Sequence, residues 1–152
     1  MSYRRATRRT VLILLLVSLP AFAQGPIDAV YWSGHVKEIP EKKQGRLVIS
    51  GSDPLRFVWD KGSWSVPYRR IKTVYVSLSR RSAMVEVVGV PGAPRKLLLS
   101  FLLSDERGKN RNCVFYLPRG PGADFWKALE EKVGRNVIYE SEEARKAAET
   151  QD

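Results

Sequence analysis

The sequence predicts an α+β, mainly β fold: an antiparallel bent sheet or barrel of about six or seven strands, capped by one C-terminal amphipathic helix. Three observations predict it. Short apolar runs rich in β-branched and aromatic residues recur at even spacing from Gly45 to Leu117. Turn-forming clusters of Gly, Pro, Asp and Asn separate those runs. The period then changes, and Phe125, Trp126, Leu129 and Val133 fall on one face of a helix. An antiparallel meander needs its apolar face covered, and a single helix meets that need.

The elements follow in order. Residues 24–43 carry Pro26, Pro40 and mixed charge and read as an irregular lead-in, with a short strand at Ala29–Ser33. The domain proper spans residues 44–140. Gly45 to Ser50 is its first strand, and Gly51-Ser52-Asp53-Pro54 is a turn. Leu55, Phe57 and Trp59 alternate with Arg56 and Val58, so one face of that strand points inward. Asp60-Lys61-Gly62-Ser63 forms the next turn. Trp64 to Tyr68 is short, with Pro67 at a bend or edge position. Ile71 to Leu78 and Ala83 to Val90 are strands, divided by Arg80-Arg81-Ser82. Lys96 to Leu103 is nearly all apolar, which suits a strand buried on both faces. Asp105 to Asn110 is a polar hairpin tip, and Asn112 to Leu117 is the last strand of the meander. After the helix, Gly134 stands where a left-handed C-terminal residue ends it. Asn136 to Tyr139 is a short extended coda. Residues 141–152 are charged and Ala-rich, and read as a frayed helix or a disordered tail.

The strand pattern and punctuation resemble the pleckstrin-homology-like (PH-like) superfold in small exported bacterial proteins. The carrying residues are Gly45-Arg46-Leu47, Leu55-Arg56-Phe57 and the line Trp64-Ser65-Val66-Pro67-Tyr68-Arg69-Arg70-Ile71. The closing hairpin (Leu97 to Leu117) and the helix Phe125–Val133 complete the match. The resemblance implies a binding module for lipids, peptides or protein surfaces. It does not bring the phosphoinositide site with it. That site pairs basic residues around the first hairpin, which here offers Arg46 and Arg56 with Asp53 between them.

The chain opens with the parts of an export signal. Arg4, Arg5, Arg8 and Arg9 precede an apolar segment from Val11 to Leu19, and Ala21-Phe22-Ala23 is a small-residue cleavage site. Residues 1–23 therefore read as a signal peptide cleaved after Ala23, and the working protein as periplasmic or secreted. The apolar run is shorter than the roughly 20 residues a membrane span needs, so no span is expected after cleavage. Thr7 to Leu12 is similar to a twin-arginine signal, but the Leu-rich segment fits the general secretory route better. Losing four arginines lowers the net charge from +10 to +6. In an exported protein of that charge, nucleic acid is not the expected partner. Anionic lipid or an acidic protein surface fits better.

No catalytic, cofactor-binding or metal-ligating constellation is expected. His35 is the only histidine and Cys113 the only cysteine. They lie far apart in sequence, and Cys113 falls inside an apolar run that predicts a buried thiol. Glu130-Glu131 and Glu142-Glu143 are adjacent on helices and point in different directions, which makes poor acid/base pairs. Gly120-Pro121-Gly122 precedes a helix but lacks nucleotide-binding spacing. Basic residues do gather at turns: Arg69, Arg70 and Lys72; Arg80 and Arg81; Arg107, Lys109 and Arg111. If such turns share one end of the sheet, they form a cationic rim for an anionic partner. The leading expectation is an exported binding or interaction module of the cell envelope rather than an enzyme. Two other classes compete with it. One is a small envelope enzyme with a site assembled from scattered residues. The other is a structural subunit that pairs through an exposed strand edge.

Overall fold

The computed structural model describes residues 25–49, 51, 54–79 and 95–150. The expected export segment, the expected strand Ala83–Val90 and the pair Arg80 and Arg81 lie outside the described residues. The described strands are β1 (Ile27–Gly34), β2 (Gln44–Ile49), β3 (Leu55–Trp59), β4 (Gly62–Val66), β5 (Ile71–Leu78), β6 (Leu97–Ser104), β7 (Asn110–Leu117) and β8 (Ile138–Tyr139). A 3-10 turn, Tyr68–Arg70, links β4 to β5. Helix α1 (Ala123–Val133) precedes β8, and helix α2 (Glu142–Glu149) follows it.

All eight described strands join one sheet in the order β4-β3-β2-β1-β7-β6-β5-β8. Every pairing is antiparallel except β5 with β8. The terminal strands, β4 and β8, do not meet, so the sheet is bent but not closed into a barrel. The fold class is α+β and mainly β, as the sequence predicts. The described residues hold eight strands against the expected six or seven, the parallel β5–β8 pair makes the sheet mixed rather than wholly antiparallel, and the tail supplies a second helix, the helical alternative for residues 141–152.

The first additional strand comes from the lead-in. β1 is longer than the expected Ala29–Ser33 strand and lies mid-sheet, paired with β2 and β7. Ala29 and Tyr31 point into the core while Trp32 points out. Asp28 and Ser33 dilute the apolar signal of this strand, and the register shifts between Tyr31 and Ser33. The second addition is the coda, whose residues Ile138 and Tyr139 pair with Tyr75 and Val76 of β5.

β6 corrects another expectation. Leu97, Leu99, Phe101 and Leu103 are buried, but Leu98, Ser100, Leu102 and Ser104 on the other face are half-buried. The strand alternates like its neighbours because only one face of the sheet meets the core.

Bending brings strands together that are not sheet neighbours. The rings of Phe57 on β3 and Phe115 on β7 lie 5.0 Å apart, although those strands stand three places apart in the sheet. Phe115 also meets Tyr31 at 5.6 Å and Phe101 at 6.1 Å. Helix α1 adds Phe125, Trp126 and Leu129 to this core. It stops at Gly134, whose φ of 69° is the left-handed value and whose N–H donates to Glu130 O.

The tail is a docked helix as far as Glu149. Ser141 caps it by accepting from the Ala144 N–H at 3.1 Å. Ala144 and Ala148 are buried, and Trp126 Nε1 donates to the carbonyl of Ala148 at 2.9 Å. Small residues four apart permit this close approach. Of the two expectations for this tail, a frayed helix or a disordered segment, the structure has the helix, docked rather than frayed because Ala144 and Ala148 are buried. No helix among the described residues is long and apolar enough to cross a membrane.

Candidate binding cleft at the open end of the sheet

Because the sheet stays open, β4 has a strand neighbour on one side only among the described residues. The β6–β7 hairpin stands across a gap from it. A cleft of about 670 Å³ occupies this gap. Trp64, Ser65, Val66 and Pro67 line one side, and residues 103–107 with Lys109 and Arg111 line the other. Val36 and Leu103 supply apolar surface.

Asp105 organises the hairpin tip. Its Oδ1 accepts from the backbone N–H groups of Arg107 at 2.9 Å and Lys109 at 2.8 Å. Its Oδ2 accepts from Arg111 Nε at 3.2 Å. Gly108 takes a φ of 75°, which glycine adopts without strain, and its N–H donates to Asp105 O. The backbone N–H of Lys109, then that of Arg107 and the Arg111 guanidinium, hold the Asp105 carboxyl below its ordinary value. The carboxylate thus fixes the direction in which the neighbouring cations leave the turn.

Of the eight predicted rim residues, Arg70, Arg107, Lys109 and Arg111 line this one cleft. Arg70 reaches Glu106 at 3.5 Å across the gap. Arg111 is held by Asp105. Among the described residues, no carboxylate pairs with the side chains of Arg107 or Lys109. Arg69 is exposed on the 3-10 turn and does not line the cleft. Lys72 does not line the cleft either, but it reaches the same hairpin, where it donates to Asn110 Oδ1 at 2.8 Å. Glu38, Asp105 and Glu106 also line the cleft, so it carries mixed charge with a cationic excess.

Sequence reasoning missed the contribution of β4, because only the tertiary bend puts that strand opposite the hairpin. It also missed a second cationic group. Arg95, Lys96 and Arg119 line a smaller cleft of about 300 Å³ with Tyr116 and Thr150. There Lys96 Nζ lies 4.4 Å from the ring centre of Trp32 and 5.3 Å from that of Tyr116, a cation–π arrangement. Arg95 pairs with Glu143 at 3.3 Å.

The other candidates do not assemble. His35 is exposed, and its Nδ1 accepts from the Asn112 N–H at 3.4 Å. Cys113 is fully buried on β7, and burial pushes its thiol up to about 12. Among the described residues, no group of three or more His, Cys, Asp or Glu side chains is placed to hold a metal ion. Compared with known proteins, the chain matches no family model and no curated relative.

Proposed function

We propose that this protein is an exported PH-like interaction module of the cell envelope that binds an acidic protein surface in the cleft between β4 and the β6–β7 hairpin. The observation that carries this reading is the convergence of Arg70, Arg107, Lys109 and Arg111, from two separate turns, on one concave site. Export is supported by the basic, apolar and small-residue segments of residues 1–23. The PH-like reading is supported by a four-strand meander, a three-strand meander and then α1, with the open sheet, β8 and α2 as departures from it.

Two points favour an acidic protein over anionic lipid. A flat membrane surface cannot enter a cleft whose cations are interspersed with Glu38, Asp105 and Glu106. The exposed large apolar residues, Trp32, Tyr75 and Ile138, do not line the cleft and so give the cations no insertion wedge beside them. The test compares polyglutamate with vesicles. The purified protein is expected to bind polyglutamate at low salt and to lose most of that binding near physiological salt or above, where the Debye length falls to about 8 Å. Preferential binding to anionic over neutral vesicles, with no binding to polyglutamate, overturns the choice of partner. No binding to either probe overturns the electrostatic reading.

A further inference from the structure

We infer that the occupant of this cleft is an extended acidic segment that adds to β4 as a further antiparallel or parallel strand, its carboxylates meeting Arg107 and Lys109. The inference rests on the reading of the cleft as an acidic-partner site and specifies how that partner is held.

Among the described residues no strand pairs with the outer edge of β4. Trp59 and Gly62 flank the two-residue turn Asp60-Lys61 and close the hairpin. Bonded and non-bonded pairs alternate along an antiparallel ladder, so Gly62, Trp64 and Val66 turn their backbone groups toward β3. Ser63 and Ser65 then direct their N–H and C=O groups away from β3. Their side chains are exposed, and Ser65 lines the cleft. Five residues give about 17 Å of edge at the usual rise per residue.

Proteins normally blunt such an edge with charge, proline, a bulge or a very short strand. β4 has none of these: its sequence is Gly-Ser-Trp-Ser-Val, and its register with β3 is unbroken. The opposite edge, β8, is only two residues long. What stands beside the open edge of β4 is the hairpin with Arg107 and Lys109. A strand laid along β4 brings its side chains among these cations and against Val36 and Leu103. The same cations select against a second copy of this chain, which carries net positive charge of its own. Complementary charge and an open ladder therefore point to one kind of ligand, an acidic β-strand.

The probe is a short peptide alternating Glu and Val, measured by titration against the purified protein and by backbone amide hydrogen exchange. Binding is expected to slow exchange at the Ser63 and Ser65 amides. Methylating the peptide amides that face β4 should weaken binding by about tenfold or more, while methylating the alternate set should leave it nearly unchanged. Ser65→Pro, which removes an edge N–H that β3 does not use, should match the first loss if its melting temperature is preserved. If the peptide binds in a salt-dependent way but neither methylation pattern nor exchange responds, strand addition is overturned while the acidic cleft stands. If no acidic peptide binds, both readings fall. If the protein instead self-associates and Ser65→Pro abolishes that association, the edge belongs to a second copy and the acidic-segment inference is overturned.

Discussion

Asp105 holds the arrangement of the hairpin tip in one side chain. It accepts two backbone N–H groups and one guanidinium, all of them donors that favour its ionised form. Its folded pKa lies below the ordinary 3.8. For a carboxyl with a depressed folded value, the stabilisation is present above the ordinary pKa and disappears as pH falls through the folded value. The tip is therefore expected to loosen only in strong acid. A titration followed at the Asp105 carboxyl carbon should show a midpoint below 3.8. Asp105→Ala should speed amide exchange at Arg107 and Lys109 at neutral pH while leaving the core amides unchanged. Unchanged exchange at those two amides contradicts the assignment.

Cys113 has the opposite sign. Its thiol is pushed up from 9.0 to about 12 by burial. A raised folded value means that the contribution is intact below the unfolded value and is lost as pH climbs from there toward the folded one. The native protein should resist maleimide at mildly alkaline pH and react promptly in denaturant. Fast native labelling rules out the buried placement. The same burial keeps the thiol from a bridge to another chain while the fold is intact. Burial of Cys113 was legible in sequence, because it lies inside the apolar run Asn112 to Leu117.

Elements differ in how plainly the sequence announces them. Helix α1 and its stop were legible because Phe125, Trp126, Leu129 and Gly134 combine a helical stripe with a left-handed terminus. β1 was under-read, since Asp28 and Ser33 interrupt its apolar alternation and its place mid-sheet depends on partners remote in sequence. α2 was harder still. Its buried face consists of Ala144 and Ala148, which carry almost no hydrophobic signal, and its docking depends on tertiary hydrogen bonds. Ala148 O accepts from both Trp126 Nε1 and Gly122 N. A side chain at Gly120 would run into the carbonyl oxygens of Ala147 and Thr150. Gly120→Ala should therefore undock α2 and cost about 1–3 kcal/mol in chemical denaturation, the range for forced overpacking. A variant as stable as the parent shows that α2 contributes little.

At the scale of the whole molecule, the site depends on what the sheet leaves open. β4 and the β6–β7 hairpin are far apart in sequence, and no local pattern states that they share a cleft. Four of the eight rim residues converge there because the sheet bends, a fact carried by core contacts such as that between Phe57 and Phe115. Arg69 and Lys72, equally basic in sequence, do not line the cleft, and Lys72 is taken up by Asn110 of the hairpin. The mixed charge of the tip was partly visible, since Asp105 and Glu106 sit in the same short run as Arg107 and Lys109. What could not be read was which cations those acids would occupy. Among the described residues Arg111 and Arg70 are paired with carboxylates and Arg107 and Lys109 are not, so these last two are the cations placed to meet a ligand.

The cleft is proposed to bind acidic partners through those two residues. Its most direct test is the affinity of the purified protein for polyglutamate at low salt, measured for the parent and for the variant carrying Arg107→Glu and Lys109→Glu. Both side chains lie on an exposed tip, so the fold should survive, with an unchanged melting temperature as the check. Reversal of the two charges is expected to weaken binding by more than about tenfold and to flatten its salt dependence. Undiminished binding by a folded variant places the polyglutamate site elsewhere and contradicts the role given to Arg107 and Lys109.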